Sequence, residues 1–126
     1  MLFGRKKLFD LIIKYFNEKK ISYEKNASTI SFTASYNDFS IYPYMRVSEE
    51  ESSIDILINI RKIDVKENVF FKINEFNTRS KYFKAILDGD VIVLEYNTLA
   101  VNDNIDYILD SIIDSLSSLR EEIKEL

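Results

Sequence analysis

The 126-residue sequence contains no cysteine and no histidine, and it has only two glycines and one proline. The lack of cysteine excludes disulfides, thiolate metal sites and thiol nucleophiles, and it is typical of proteins in a reducing compartment. The lack of histidine removes the commonest metal ligand and the usual proton shuttle near neutral pH. An enzyme would have to use Asp, Glu, Lys, Tyr or Ser, and no spacing of these residues nominates a catalytic pair. We therefore expect a protein without enzyme activity or cofactor.

Long apolar runs are also missing. No segment approaches the run of about 18–20 apolar residues that a membrane span requires. The apolar segment LFDLIIKYF is interrupted by Asp10 and Lys14, so we expect neither a signal peptide nor a membrane segment. A chain of this length buries about two-thirds of its unfolded surface in one domain. We expect residues 1–126 to form a single cytoplasmic domain.

Charge is distributed unevenly along the chain. The net charge is -4, yet residues 1–25 carry seven basic and three acidic residues, a local charge of +4. A basic first helix indicates either contact with nucleic acid or a solvated helix face. The negative total opposes polyanion binding, so the solvated face is favoured and a nucleic-acid-associated regulator is an alternative.

Three segments have the apolar spacing of amphipathic helices. The first covers residues 5–20. The second follows Asp64 and Glu67, which have the spacing of a capping box, and ends near Thr78. Its apolar face is predicted to hold Val69, Phe70, Ile73 and Phe76, while Asn77 is expected to help to end it. The third helix follows Asn102-Asp103.

The third helix carries a wide apolar stripe and, on its other side, a row of four aspartates. The stripe consists of Ile105, Ile108, Leu109, Ile112, Ile113, Leu116, Leu119 and Ile123. Carboxylates on one exposed helix do not converge on a point, so the row Asp103, Asp106, Asp110 and Asp114 indicates a solvated face rather than a metal site. Three consecutive carboxylates in a loop also lack a fixed geometry for a cation, so we expect Glu49-Glu50-Glu51 to form a solubilising loop.

Alternating apolar residues predict five strands. A hairpin with the loop Asn37-Asp38 places one set of apolar residues on a single face, namely Ile30, Phe32, Ala34, Tyr36, Phe39, Ile41, Pro43, Met45 and Val47. Pro43 indicates an edge or a bulge there. The third strand holds Ile54, Ile56, Ile58 and Ile60.

A second hairpin turns at Asp88-Gly89-Asp90. Any two-residue loop drawn from these residues brings Phe83, Ala85 and Leu87 to the face that carries Ile92, Leu94 and Tyr96. The loop Gly89-Asp90 is preferred because it pairs Lys84 with Glu95 across the strands. The opposite face holds Tyr82, Ile86, Val91 and Val93, and it is more apolar than a solvated face requires.

The predicted order is helix, three strands, helix, two strands, helix, which is an α+β fold with an antiparallel sheet packed against helices. This order resembles the YbjN family, especially where Ile73-Asn74-Glu75-Phe76-Asn77 runs into Lys81-Tyr82-Phe83-Lys84-Ala85 and Gly89-Asp90-Val91. That family is similar in fold to type III secretion chaperones. The resemblance implies a small bacterial cytoplasmic protein, described as a candidate regulator of sensory transduction, with no established enzyme activity.

The leading hypothesis is a non-enzymatic regulator or chaperone-like module that binds a protein partner. Aromatic and aliphatic anchors supply most of the energy of an interface. The candidate contact residues are Tyr82, Ile86, Val91 and Val93, joined by Tyr42, Tyr44 and Leu57 if that face of the sheet is open. Burial against the protein's own helices is the competing interpretation of these residues. A small homodimeric scaffold, with the third helix or the second hairpin at the twofold axis, is an alternative.

Overall fold

The computed structural model describes residues 7–36, 38–64 and 66–126. In these ranges the helices are α1 (Leu8–Glu18), α2 (Val69–Arg79) and α3 (Ile105–Glu122). The strands are β1 (Tyr23–Asn26), β2 (Thr29–Phe32), β3 (Ala34–Tyr36), β4 (Phe39–Ile41), β5 (Tyr44–Ser48), β6 (Ser53–Lys62), β7 (Lys84–Asp88) and β8 (Val91–Leu99). The predicted α+β fold class and the three predicted helices are confirmed, although the strands are more numerous than predicted.

Six strands form one antiparallel sheet in the order β1-β2-β5-β6-β8-β7, while β3 and β4 form a separate two-stranded ladder. The centre of the large sheet is the long pair β6 and β8, whose register shifts between Asn59 and Arg61. Strands β1 and β7 are its two edges.

The first predicted hairpin forms in the predicted register but is broken in its middle. Ile30 pairs with Met45 and Ala34 pairs with Ile41, as a two-residue loop at residues 37–38 requires; Asn37 itself lies outside the described residues. Pro43 falls between β4 and β5, and its carbonyl accepts the Phe32 N–H at 3.2 Å. Because proline has no N–H to return, the ladder is interrupted there. The result is two pairs of strands rather than one.

Strand β1 was missed by the sequence prediction. It has no apolar alternation, and three of its four residues are exposed. The chain enters it through Lys20, whose φ of 59° lets the Ile21 N–H reach the Phe16 carbonyl at 2.9 Å. This left-handed position usually holds glycine, and a lysine there costs about 1–2 kcal/mol.

The core lies between the sheet and the helices. Phe32, Ile41, Ile58 and Leu94 are buried, and Leu87 is half-buried against the same cluster. The apolar stripe predicted for α3 faces this core, with Ile105, Leu109, Ile112, Leu116 and Leu119 buried. The predicted sorting of odd and even positions is therefore confirmed up to the register shift in β6, where Arg61 rather than Ile60 pairs with the inward-facing Ile92. We call this side of the sheet the inner face and the opposite side the outer face.

The N-terminus of α1 is capped by a residue 41 positions from Leu8 in the chain. The Glu49 carboxylate accepts the backbone N–H groups of Leu8 and Phe9 at 2.7 and 2.8 Å. A carboxylate at this end of a helix satisfies unpaired N–H groups and favours the helix dipole. The prediction that the Glu49 loop is only solubilising was wrong for this residue, although Glu50 and Glu51 are exposed.

The capping box predicted at Asp64 was wrong as the start of α2. The helix begins at Val69, and its cap is Asn68, whose side chain accepts from the Phe71 N–H. Residues 64 and 67 instead close a turn, in which Glu67 accepts the Asp64 N–H at 2.6 Å. Phe70, predicted on the buried face of this helix, is 72% exposed.

Glu67 also joins this turn to β6 and α2. Arg61 donates both terminal nitrogens to its carboxylate, at 2.7 and 2.6 Å, and Lys72 adds a third contact at 3.1 Å. The Arg61 guanidinium, more than any other group, holds the pKa of Glu67 well below its usual range.

Candidate functional site

The second hairpin has the predicted loop. Lys84 pairs with Glu95 and Asp88 pairs with Val91, which leaves Gly89-Asp90 as the two loop residues. Gly89 has a φ of 61°, a conformation that is open to glycine and costly for most other residues. Phe83, Ala85, Ile92 and Leu94 are buried on the inner face as predicted. The register therefore sends Ile86 and Val93 to the outer face, opposite each other.

The four candidate residues of this hairpin differ in accessibility. Tyr82 is 42% exposed and Ile86 is 40% exposed, whereas Val91 is half-buried and Val93 is 6% exposed. Val93 lies between Ile86 and Asn59 on the neighbouring strands. Tyr82 and Ile86 can thus offer contact area to a partner, while Val93 supports them from within the surface.

A depression of about 440 Å³ on this hairpin is lined by Tyr82, Lys84, Ile86, Glu95, Tyr96 and Asn97. The rings of Tyr82 and Tyr96 are 5.9 Å apart in an edge-on arrangement. We call this depression the hairpin pocket. Its lining combines three aromatic or aliphatic side chains with three charged or polar ones, so a partner would have to pair polar groups as well as cover apolar area.

Asn77 positions the edge of this pocket. Its side-chain amide donates to the Ala85 carbonyl at 3.1 Å, and its side-chain oxygen accepts the Ala85 N–H at 2.7 Å. The predicted helix end near Thr78 is one residue from the observed end at Arg79, but the prediction that Asn77 helps to end the helix was wrong, because its side chain bonds β7. Asn77 instead satisfies the outward backbone groups of the edge strand β7, as a neighbouring strand would.

The end of α2 is held by Lys84 from the next strand. Its ammonium group donates to the carbonyls of Asn77 and Ser80 at 3.0 and 3.4 Å. A cation at this end of a helix is favourable because the last carbonyls are unpaired.

The remaining candidate residues lie at the other end of the outer face. Tyr44 pairs with Leu57, and Leu57 pairs with Glu95 on β8, so a cross-strand row connects this end to the hairpin pocket. Tyr42 is 69% exposed and Tyr44 is 39% exposed, whereas Leu57 is half-buried. The candidate residues share one side of the sheet but form two groups rather than one.

The group at this end borders a groove of about 860 Å³ that sequence reasoning missed. Tyr23, Tyr42 and Tyr44 line it together with Lys20, Glu24 and Ser31. We call it the tyrosine groove. Its position depends on β1 and on the break at Pro43, and neither the extra strand nor the size of that break has a signal in the sequence pattern.

Two of the basic side chains on and beside the first helix have partners within the helix. Lys14 lies 3.8 Å from Glu18, and the Lys19 ammonium lies 5.7 Å from the centre of the Tyr15 ring. Arg5 and Lys6 lie outside the described residues.

Two tyrosines on the helical side have raised pKa values for structural reasons. Burial raises the pKa of Tyr15, and its hydroxyl, which donates to Asp110 at 2.6 Å, raises it further by stabilising the protonated form. Burial also raises the pKa of Tyr36. The Tyr15 bond joins α1 to α3 and lies on the side away from the outer face, so it belongs to the scaffold.

The described ranges hold neither a cluster of metal ligands nor a membrane-spanning helix. No group of three or more acidic side chains there has an arrangement that would hold a metal ion. No helix in the same part of the chain is long and apolar enough to cross a membrane.

Comparison with solved structures identifies the fold. The chain is similar to the crystal structure of YbjN from E. coli, with a TM-score of 0.68 and 12% identity over 92% of this chain and 88% of that one. The chain has the YbjN fold. It is also similar to the Yersinia pestis type III secretion chaperone SycH, with a TM-score of 0.59 and 16% identity over 94% of this chain and 98% of that one. No family model and no curated protein matches the sequence.

The predicted resemblance to the YbjN and secretion-chaperone fold is thereby confirmed. YbjN is described as a candidate transcription regulator, and SycH was solved in complex with a stable fragment of YscM2. At these identities the likeness is one of fold.

Proposed function

We propose that this chain is a non-enzymatic, protein-binding regulator or chaperone-like module of a bacterial cytoplasm, and that residues 1–126 act as one domain. The observation that carries the proposal is the hairpin pocket, where Tyr82 and Ile86 remain open on the outer face of the sheet. Its contact set comprises Tyr82 and Ile86, supported by Val91 and Val93, and a second group at the other end of the outer face, Tyr42, Tyr44 and Leu57. The secretion-chaperone neighbour, which was solved with a protein fragment bound, supports a protein as the partner.

The physical basis is the difference between the two faces of the sheet. On the inner face, Ile56, Ile58 and Leu94 are fully covered by the core. On the outer face, the exposed aromatic and aliphatic groups release water when a partner covers them, and such anchors dominate interface energies. Alanine substitution of one well-buried anchor costs at least about 2 kcal/mol of binding free energy.

The test is binding by purified components. Affinity purification with mass spectrometry from the source organism supplies candidate partners, and calorimetry with each purified candidate then measures the dissociation constant. We expect Ile86→Asp to weaken binding at least about thirtyfold, the equivalent of about 2 kcal/mol. Tyr107→Ala is a matched control because Tyr107 is 76% exposed on α3. Equal affinity of the wild type and Ile86→Asp would refute this site.

Val93 is unsuitable as a binding variant. A charge at a position that is 6% exposed would destabilise the sheet, so loss of binding by Val93→Asp would report folding rather than contact.

A homodimer is the second candidate, and α2 is the surface that favours it. Phe70 and Phe71 are 72% and 60% exposed on adjacent positions of this helix. Two such rings on each copy would be covered by an isologous pair of α2 helices. This differs from the axis expected at the third helix or the second hairpin. Light scattering of the wild type and of Phe70→Ser/Phe71→Ser at high micromolar concentration tests it, and a monomeric wild type would remove it.

A further inference from the structure

The hairpin pocket contains a carboxylate whose expected partner is bound elsewhere. Glu95 and Lys84 face each other across β8 and β7, which is a favourable arrangement of opposite charges. The Lys84 ammonium group instead donates to the carbonyls of Asn77 and Ser80 at the end of α2, at 3.0 and 3.4 Å. In the part of the chain that the structure describes, Glu95 makes neither a hydrogen bond nor an ion pair.

Two other cations near the hairpin also have partners of their own. Arg46 lies 3.5 Å from Asp55 on the neighbouring strand. The Lys81 ammonium lies 5.5 Å from the centre of the Tyr82 ring. Each cation interacts with a group other than Glu95, so the Glu95 charge remains for a partner to balance.

A second hydrogen-bond acceptor lies two positions along the same strand. Alternate side chains of a strand share a face and are about 6.7 Å apart, so Asn97 is on the outer face with Glu95. The Asn97 amide nitrogen donates to Asp55, which leaves the Asn97 side-chain oxygen as an acceptor in the pocket lining. These two groups of β8 therefore require hydrogen-bond donors from a ligand.

Apolar side chains surround Glu95 on this face. Leu57 pairs with it from β6, and Val93 lies two positions along β8. Ile86 is the cross-strand partner of Val93 and remains 40% exposed. Glu95 is half-buried among them. Such a carboxylate interacts with an opposite charge more strongly than one in open water, because the local dielectric constant is lower.

Arginine fits these groups better than lysine does. Its guanidinium presents five N–H donors in a planar fork, which can serve a carboxylate and a second oxygen together. It is also more weakly hydrated than an ammonium group and stacks on aromatic surfaces, so it enters a partly apolar site at a smaller cost. Tyr82 and Ile86 supply aromatic and aliphatic surface in the pocket lining.

We propose that the hairpin pocket receives an arginine side chain of the protein partner, flanked on the partner by aliphatic residues. The guanidinium binds the Glu95 carboxylate and the Asn97 side-chain oxygen, while the aliphatic neighbours cover Ile86 and Leu57. An acidic or purely apolar segment would cover the Glu95 carboxylate without pairing it, which opposes its binding. The inference rests on the proposed protein-binding function and names the chemistry that its hairpin pocket selects.

The test is an NMR titration of the full ¹⁵N-labelled chain with two acetylated, amidated pentapeptides. One is Val-Ser-Arg-Val-Ser, and the other carries citrulline, which is neutral and nearly the same shape, in place of arginine. We expect saturable shifts at the amides of Leu57, Glu95 and Asn97, with a dissociation constant of the order of 1 mM for the arginine peptide. The citrulline peptide should bind at least about tenfold more weakly, because the hydrogen bonds to Glu95 lose one of their two charges.

Two variants locate the selectivity. Glu95→Gln should weaken binding of the arginine peptide about tenfold and leave binding of the citrulline peptide unchanged. Asp88→Asn is the matched control, because Asp88 is an exposed acid of β7 outside the pocket lining and its loss changes the net charge equally. It should bind both peptides as the wild type does. Thermal unfolding checks that both variants are folded.

Three results would overturn the inference: equal affinity for the two peptides, no saturable shift up to about 5 mM peptide, or equal effects of Asp88→Asn and Glu95→Gln. Ile86→Ser, which adds no charge, tests the apolar part of the pocket with the purified partner. If it weakens partner binding while the two peptides bind alike, only this inference falls. If the arginine peptide binds as expected while Ile86→Ser and Ile86→Asp leave partner binding unchanged, the proposed partner site falls and Glu95 remains an arginine-binding group.

Discussion

Replacement of Asn77 by alanine tests how the edge of the hairpin pocket is held. The substitution removes two hydrogen bonds, at 2.7 and 3.1 Å, from the backbone of Ala85. Each such bond contributes about 1 kcal/mol net, so the free energy of unfolding should fall by about 2 kcal/mol. For 126 residues, 1 kcal/mol corresponds to about 4 °C, and the melting temperature should fall by about 8 °C.

Two measurements separate this explanation from a general loss of helix stability. The Ala85 amide should lose its protection from hydrogen exchange more than its neighbours, because its acceptor is gone. Asn77→Asp should be intermediate, since a carboxylate still accepts the Ala85 N–H but cannot donate to the Ala85 carbonyl. Chemical denaturation of both variants gives the magnitudes.

Asn74→Ala is the matched control, because Asn74 is an exposed asparagine in the same helix. It should change the free energy of unfolding by no more than about 0.5 kcal/mol. A loss below this value for Asn77→Ala, or an unchanged exchange rate at Ala85, would refute the edge-strand role.

Three further substitutions test the scaffold. Glu49→Ala should lower the free energy of unfolding by about 1 kcal/mol, because the first N–H groups of α1 lose their cap, and exposed Glu50→Ala is its control in denaturant titrations. Ala27→Gly should raise stability by about 0.5–1 kcal/mol, since Ala27 has a φ of 51°; a lower melting temperature would contradict this. The lowered pKa of Glu67 stabilises the fold at a pH above the ordinary carboxyl pKa of about 4.3, and this contribution is lost as pH falls toward the lowered value. Glu67→Gln should therefore be less stable at neutral pH and lose less stability than the wild type below about pH 4; parallel acid-unfolding curves would contradict this.

The sequence predicted that the candidate residues lie on one face of the sheet, but it did not predict the two depressions that they border. The alternation of side chains along the strands and the Asp-Gly-Asp turn were enough to place Tyr82 and Ile86 on one face. The reason is that the register of a hairpin follows from its loop length. The burial of Val93 was not predictable in this way. It depends on Asn59 and Ile86 being its neighbours, and Asn59 is 34 positions away in the chain.

Long-range polar contacts show the same limit. Glu49 looked like one of three equivalent loop carboxylates, and Asn77 looked like an ordinary residue near a helix end. Each acquired a specific partner, at Leu8 and Ala85 respectively, only after the helices packed on the sheet. Local spacing predicts which polar atoms need a hydrogen-bond partner. It does not specify which distant backbone group comes within 3 Å of them.

By itself, the sequence determined the fold class, the inner and outer faces of the strands and the absence of any histidine or thiol chemistry. These follow from composition and from periodicities of 2 and 3.6 residues, which act within a few positions of the chain. Only the tertiary structure decided that β1 joins the sheet, that Pro43 breaks the first hairpin in two, and that three tyrosines from separate strands and loops border one groove. Such features depend on which surfaces meet in space, because packing energy and loop geometry there outweigh local propensity.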